Sequence, residues 1–322
     1  MRSCGYWGLL AVLVAAISVL APLRHGRSAT LVPSEGAPPM FTSRVAQAGS
    51  SDFRMVDVPY GPETKITIER RGQIVLIGIN RPYVDNRLDP EATESLARAY
   101  FDYDRDPSLR VAVLFGHGDR FSQGVDVDAF GAFAKAGKPL MSGDGFIDPL
   151  GRRKPLLTKP LIAAVHGDTW NMAHELFLVA DIRVASEDTD FGQDENTHGR
   201  FPGGGATVRF PREAGWGNAM RYILTGDHWT ARDAYRMGVV QEIAPSRQAA
   251  LDKAIEIALK IAACGPLSIK TSLASAREAV DESQTLALSK LDGLYRDLFK
   301  TRDFKEGRDA EAAGRPPVYE GR

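Results

Sequence analysis

Carboxylates, histidines and glycines concentrate in three segments of this 322-residue chain. Residues 121–127 (FSQGVDV) contain a glycine that is followed by valine and aspartate. Residues 163–176 (AAVHGDTWNMAHEL) carry Glu175 within an apolar run, and residues 191–205 (FGQDENTHGRFPGGG) carry Glu195. Two carboxylates that face one water molecule suit general acid–base chemistry, because one takes a proton while the other supplies one. These residues favour an enzyme that moves protons.

The glycines indicate where a negative charge would be stabilised during such chemistry. Proton transfer next to a carbonyl group passes through an enolate, whose charge lies on the carbonyl oxygen. Two backbone N–H groups aimed at that oxygen stabilise it, especially when one of them lies at a helix N-terminus. Gly124 allows the backbone to approach a ligand closely. We therefore expect an oxyanion hole beside this glycine.

The surrounding pattern alternates between strands and helices. Residues 65–69 (KITIE) and 73–79 (QIVLIGI) predict a hairpin, and 111–115, 161–165 and 181–185 predict further strands. Helices are expected over residues 90–103, 170–180, 216–224, 230–237 and 247–263. Residues 267–313 are helical in pattern and carry almost no strand signal. This order predicts an α/β core over residues 61–265 and a C-terminal helical region over residues 266–322.

Composition excludes several classes of protein. Lys plus Arg is 40 and Asp plus Glu is 41, so the net charge is −1, and hydrophobic residues make up 43% of the chain. A disordered chain would be less apolar, and a nucleic-acid-binding surface needs a basic surplus, so no nucleic-acid partner is expected. The two cysteines, Cys4 and Cys264, form neither a disulfide framework nor a structural zinc site. We expect no metal, and a buried, inert thiol at Cys264.

The N-terminus is a separate problem. Arg2 precedes an apolar run over residues 7–20, which has the length of a secretory signal and is short for a membrane span. Residues 1–28 are therefore predicted to be a signal-like or anchor segment, and residues 29–60 a linker. In the alternative interpretation, translation begins at Met40 or Met55 and the apolar run does not belong to the protein.

The three segments together resemble the crotonase superfamily, the enoyl-CoA hydratase/isomerase family. Its members typically read F-x-A-G-A-D-L, then A-A-V-N-G-x-A-x-G-G-G-x-E-L, then F-G-x-P-E-x-x-x-G-x-x-P-x-G-G. The same order and similar spacing occur here, and the resemblance covers about residues 64–322. It implies a spiral of ββα units with C-terminal helices used for trimerisation. It also implies an acyl-CoA thioester substrate and no separate cofactor.

The resemblance implies a role for individual residues. Glu175 and Glu195 match the family's two catalytic glutamates, and the N–H groups of Val125 and Met172 match its oxyanion donors. Gly124 and Asn171 are then expected to contact the substrate. The family's Gly-Gly-Gly is here Asn171-Met172-Ala173. A backbone donor survives this change, but a positive φ would be unfavourable for methionine and better tolerated by asparagine.

Recognition of CoA is less clearly encoded. Arg87 and Arg315 are the candidate substrate-binding cations, although a solvated surface arginine is an equally good interpretation of Arg87. Residues 131–158 resemble the family's variable acyl-pocket segment and do not identify the acyl group. His174 has two interpretations: a structural hydrogen-bonding residue, or a second base for water.

The sequence predicts reversible hydration of a 2-enoyl-CoA by a homotrimer or a dimer of trimers. The alternatives are a cofactor-free C–C hydrolase of β-dicarbonyl compounds on the same fold and a non-catalytic family member. Because acyl-CoA is a cytosolic metabolite, we expect a cytoplasmic protein that starts at Met55. The alternative is export or membrane anchoring through residues 1–28.

Overall fold

The computed structural model describes residues 64–137 and 139–318. The predicted signal-like segment (1–28) and linker (29–60) lie outside the described residues. The structure therefore concerns the predicted core and the C-terminal helical region.

The strands and helices that the sequence predicts occur in the expected order, with further short elements between them. The strands are β1 Ile66–Arg71, β2 Ile74–Ile79, β3 Val111–Gly116, β4 Leu161–Val165, β5 Asp168–Trp170, β6 Ile182–Ser186, β7 Asp190–Gly192, β8 Trp229–Thr230 and β9 Glu242–Ala244. The core helices are α1 Pro90–Arg105, α2 Val127–Lys135, α3 Met172–Val179, α4 Ala206–Ala214, α5 Trp216–Thr225, α6 Ala231–Arg236 and α7 Arg247–Ala262. The C-terminal helices are α8 Pro266–Ser289, α9 Leu291–Leu298 and α10 Arg302–Ala313. Short 3-10 helices cover Pro82–Val84 and Glu195–His198.

The strands form two sheets. The larger sheet has the order β1-β2-β3-β4-β6-β9, in which β1 pairs antiparallel with β2 and the other neighbours are parallel. The smaller sheet has the order β5-β7-β8. In the repeat β4-β5-α3, a long strand in the large sheet precedes a short strand in the small sheet and then a helix. The sequence β6-β7-α4 repeats this arrangement, as the predicted spiral of ββα units requires.

The inner strands β2, β3 and β4 are buried on both faces, which explains their continuous apolar sequences, whereas the edge strand β1 is largely exposed. Alternate residues of one strand reach two different clusters: Val75 and Ile77 of β2 lie on the side of α1, whereas Ile74 and Leu76 lie on the side of α7. On that second face, α7 contributes small and branched residues, Ala250, Leu251, Ala254, Ile255 and Ala258. This packing fixes the ends of β3 and β4, from which the candidate site residues extend.

The structure corrects some sequence-based expectations. Cys264 is exposed at the turn between α7 and α8, so the expectation that it is buried is wrong. The short strands β5, β7, β8 and β9 were not predicted, because two or three residues carry too little period-2 signal, and the helices α2 and α4 were not predicted either. Within the described residues, no single helix is long and apolar enough to cross a membrane, and one bent pair of helices, α7 with the first half of α8, passes that test jointly.

Candidate active site

Helix α3 begins at the point where the glycines of the family pattern are replaced. Asn171 precedes its first residue and adopts φ 55° and ψ −121°. Met172 is not among the described residues that have a positive φ. The asparagine therefore takes the conformation that costs a methionine most, and the Met172 N–H remains at the first position of the helix.

The two proposed oxyanion donors lie on segments that touch each other. A Cβ atom added to Gly124 would lie 3.0 Å from the carbonyl oxygen of Trp170 and 3.2 Å from the nitrogen of Met172. Gly124 also has a φ of 94°, so both its conformation and its contacts favour glycine. Within the described part of the chain, neither Val125 N–H nor Met172 N–H donates a hydrogen bond. Both donors remain available for an oxygen atom of a ligand.

Glu175 lies one turn into α3 and is only 3% exposed. Its Oε1 accepts a hydrogen bond of 3.1 Å from the N–H of Ala206, at the start of α4. Burial raises the pKa of Glu175 to about 7, although this hydrogen bond and the positive charges of Arg152 and Arg209 oppose the shift. Near neutral pH the carboxyl group therefore exchanges a proton readily.

Gly204 and Arg209 shape the surroundings of Glu175. A Cβ at Gly204 would collide with the Glu175 carboxylate, so only glycine leaves room for it. Arg209 is buried and donates to the carbonyl oxygens of Gly204 (3.3 Å) and Gly151 (3.1 Å). Burial lowers the pKa of Arg209 to about 10, which keeps the guanidinium charged at neutral pH.

Glu195 begins the second 3-10 helix and is also buried. Gln193 donates from Nε2 to both carboxylate oxygens, at 2.9 and 3.0 Å. Burial raises the pKa of Glu195 well above its ordinary value, and the negative charge of Glu175 raises it further. The two glutamates thus interact electrostatically, and the pair favours a state that holds one proton.

The segment before Glu195 is attached to the start of α3. The N–H of Asp194 donates to Oδ1 of Asn171 at 3.0 Å. The family pattern has proline at this position, which has no N–H, so Asn171 and Asp194 depart from the pattern together. Despite burial, the imidazoles of His198 and His228, whose Nε2 atoms lie 3.5 and 3.9 Å from Oδ2, hold the pKa of Asp194 well below its usual range. Asp194 is therefore a fixed anion beside Glu195.

The candidate CoA-binding arginines have different environments. Arg87 precedes Leu88, which pairs with Val125, so Arg87 lies beside the oxyanion segment. Its Nε donates to the carbonyl oxygen of Val84 at 3.1 Å. Arg315 forms two hydrogen bonds with Glu306 of α10, at 2.7 and 2.9 Å. None of the recorded contacts of Arg315 in the described part of the chain reaches the oxyanion segment or the glutamates.

A cavity of about 350 Å³ lies one helical turn beyond Glu175 on the same face of α3. The segment 131–158 contributes Ile147, Leu156 and Leu157 to its wall, α3 contributes Leu178 and Val179, and α8 contributes Leu273 and Ala276. Charged side chains also line it, among them Asp148, Arg209 and Glu213, so an apolar chain would occupy only part of this space. Among the described residues, no group of three or more His, Cys, Asp or Glu side chains is arranged to hold a metal ion.

Sequence reasoning identified both glutamates but missed the residues that set their charge. Gln193, Asp194 and Arg209 received no role, because the amide, the carboxylate and the guanidinium act on a neighbour rather than on a ligand. The F-G-Q-D-E order was visible, and the aspartate in place of the family's proline was the available signal. Four aromatic rings enclose His174, which is 0% exposed, so its imidazole does not face the site as a base for water in this conformation.

Comparisons with known proteins show which family this chain resembles. A family model described as enoyl-CoA hydratase/isomerase matches residues 69–322. Enoyl-CoA hydratase EchA19 of Mycobacterium tuberculosis is 36% identical over 281 residues, which cover 83% of this chain and 100% of that protein. The match of the family model contains all three segments that build the site.

Solved structures are similar over the same region. The crystal structure of a probable enoyl-CoA hydratase/isomerase from Mycobacterium abscessus has a TM-score of 0.65 and 41% sequence identity, covering 80% of this chain and 99% of that one. Carnitinyl-CoA hydratase from Mycobacterium avium has a TM-score of 0.72 and 30% identity, with coverage of 80% and 99%. The similarity therefore extends over nearly the whole of each of these structures.

Proposed function

This chain belongs to the enoyl-CoA hydratase/isomerase family, and we propose that it catalyses the reversible hydration of 2-enoyl-CoA thioesters. The thioester oxygen accepts hydrogen bonds from the N–H groups of Val125 and Met172. The negative charge that develops there is stabilised by these donors and by the N-terminus of α3. CoA enters as part of the substrate, and the reaction needs no separate cofactor.

The two glutamates move the protons. Glu175 takes a proton from water as the water oxygen bonds to the β-carbon, and the double-bond electrons pass to the thioester as an enolate. Glu195 gives its proton to the α-carbon, and the enolate returns to a thioester. One water molecule has then been added, and transfer of the proton from Glu175 to Glu195 restores the starting state. Dehydration follows the same steps in reverse.

The observation that carries this proposal is the pair of buried, interacting carboxylates beside two unused backbone donors. Glu195→Gln preserves the shape of the side chain but removes its acid proton. We expect kcat to fall by roughly 10²–10⁴-fold, the usual contribution of a general acid or base. Calorimetric binding of butyryl-CoA, which has no double bond to hydrate, should be nearly unchanged. Full hydratase turnover by this variant would refute the assignment.

The two alternatives are less well supported. A β-dicarbonyl hydrolase that uses His174 as a second base needs an accessible imidazole, whereas this ring is enclosed and its Nδ1 contacts Gln193. A non-catalytic protein has no need for both glutamates in raised-pKa environments. The hydratase proposal uses both glutamates and does not require an accessible His174.

For the acyl group, we infer that the end of its chain occupies the cavity beyond Glu175. The cavity follows the same face of α3, and its apolar wall comes partly from the acyl-pocket-like segment. This placement predicts that the cavity limits chain length.

For the assembly, we propose the trimer, or dimer of trimers, that the family resemblance implies. Apolar side chains are exposed on α5 (Trp216 and Leu224) and on α8 (Leu267 and Leu286), where a neighbouring subunit would cover them. Sedimentation of the purified protein as a monomer at micromolar concentration would contradict this proposal.

For localisation, we propose the cytoplasm, with translation from Met55, because acyl-CoA is supplied there. N-terminal sequencing of the protein from its native source tests this directly. A membrane-bound chain that begins at Met1 would contradict it.

A further inference from the structure

His174 is enclosed by aromatic rings although it lies next to a proposed catalytic residue. The ring centroids of Phe210 and Trp229 lie 4.9 and 5.0 Å from its own, and Phe177 and Phe191 complete the enclosure. Burial lowers the pKa of His174 to about 4. The imidazole is therefore neutral at physiological pH, and only one of its two nitrogens carries a proton.

The contacts decide which nitrogen that is. Gln193 turns its Nε2 toward both oxygens of Glu195, and its Oε1 lies 2.5 Å from Nδ1 of His174. Once Glu195 has given up its proton it only accepts hydrogen bonds, so the amide then presents its NH₂ group to Glu195 and its oxygen to the histidine. His174 is then the donor through Nδ1–H. Its Nε2 has no hydrogen-bond partner among the described residues.

This arrangement serves both protonation states of Glu195. When the carboxyl is ionised, the NH₂ group of Gln193 stabilises the negative charge. When the carboxyl is protonated, the same NH₂ group bonds to the carbonyl oxygen, which leaves the acid proton free to point toward the substrate. The amide does not have to turn during the reaction.

We propose that His174 is a positioning residue for the reaction: its Nδ1–H fixes the Gln193 amide, and this amide aims and stabilises the carboxylate that forms when Glu195 gives up its proton. The inference rests on the proposed hydratase function. It assigns to this chain a His174–Gln193–Glu195 relay, defined by the two consecutive hydrogen bonds.

The negative charges around Glu195 explain why its ionised form needs a hydrogen-bond donor. Glu175 of α3 and Asp194 of the same segment both oppose ionisation of Glu195. Arg152 and Arg209 stabilise the charge of Glu175 instead. Among the side chains recorded in contact with Glu195, Gln193 is the one that donates to it. Loss of this donor should raise the pKa of Glu195 and leave that of Glu175 nearly unchanged.

Two substitutions at His174 separate hydrogen bonding from packing. His174→Phe fits the aromatic enclosure and removes the Nδ1–H donor. His174→Asn loses ring packing but places an amide N–H near the position of Nδ1. Gln193→Met removes the relay without changing His174. The assay is the pH dependence of kcat/KM for crotonyl-CoA hydration by the wild type and each variant.

The relay predicts that the alkaline limb of the profile moves to higher pH by roughly one unit in His174→Phe and Gln193→Met. The acid limb should stay in place, and His174→Asn should keep both limbs near those of the wild type. A His174→Phe profile that is lower but not displaced, or an Asn variant displaced as far as the Phe variant, would overturn the relay.

A second readout is independent of turnover. The ¹⁵N NMR spectrum of the wild type labelled at histidine should show a His174 ring protonated at Nδ1 and not at Nε2, from pH 6 to 9. Gln193→Met should remove this tautomer preference. A ring protonated at Nε2 would refute the relay even if hydration occurs. A wild type that fails to hydrate any enoyl-CoA but keeps the Nδ1–H tautomer would refute the proposed function alone.

Discussion

Replacing Gly204 by alanine is expected to displace the Glu175 carboxylate without changing either catalytic residue. The new Cβ would lie 2.6 Å from Cδ of Glu175, whereas carbon atoms in contact are separated by about 3.5 Å. The carboxylate must therefore withdraw by about 1 Å. Gly204 does not have a positive φ, so the alanine itself strains no backbone.

A displacement of this size has a predictable cost. Misplacing a catalytic group by about 1 Å reduces rates by roughly 10²-fold, which corresponds to about 2.7 kcal/mol in the activation barrier. The hydrogen bond from Ala206 to Glu175 should also lengthen, since it depends on the same carboxylate position. We expect kcat for crotonyl-CoA hydration to fall by about 10²-fold while KM changes little.

A matched control uses the same substitution at a glycine with open space. Gly217 lies in α5, and a Cβ added there meets no atom within 4 Å. Gly217→Ala should retain full activity. The double variant Gly204→Ala/Glu175→Asp should lose less than the product of the two single losses, because the shorter side chain leaves room for the methyl group. Wild-type kcat in Gly204→Ala would show that the position of Glu175 does not govern the reaction.

Three further predictions concern charge and chain length. The profile of kcat/KM against pH should be bell-shaped, because the active pair of glutamates holds one proton. Activity should fall below about pH 7 as Glu175 becomes protonated, and at high pH as Glu195 loses its proton. A flat profile from pH 5 to 9 would contradict this. Leu157→Trp should fill part of the cavity and lower kcat/KM for 2-dodecenoyl-CoA by about tenfold or more, while kcat/KM for crotonyl-CoA changes little. Equal losses for both substrates would place the acyl chain elsewhere. Arg87→Ala should raise KM for crotonyl-CoA several-fold at constant kcat, because this cation is expected to meet a CoA phosphate, whereas replacing the exposed Arg232 of α6 by alanine should not. Indistinguishable KM values for the two variants would assign Arg87 to the surface instead.

Most of the fold could be predicted from strong periodic patterns in the sequence. The hairpin β1–β2, the buried strands β3, β4 and β6 and the helices α1 and α7 were predicted from alternation and helical stripes, and the structure confirms them. The small sheet was missed because β8 and its neighbours are too short to show a period. Its strands form through pairing with distant segments, such as β5 with β7, and local sequence does not specify that pairing.

The sequence predicted those site residues whose chemistry follows from their residue type. Glu175 and Glu195 stand out as carboxylates, and Gly124 as a position of close approach. The replacement of glycine by Asn171 became interpretable only when its φ of 55° and its bond to Asp194 were known. Gln193 and His174 read as ordinary polar residues, since their roles depend on which atoms face each other across the α3–β7 packing.

The most direct test of the central claim is turnover of 2-enoyl-CoA by protein comprising residues 55–322. Crotonyl-CoA and longer 2-enoyl-CoAs are added, and loss of the conjugated thioester absorbance is followed, with Glu175→Gln and Glu195→Gln measured in parallel. The account predicts saturable hydration by the wild type and a loss of roughly 10²-fold or more in each variant. Binding of these thioesters without hydration, or hydration that survives either substitution, would contradict the account.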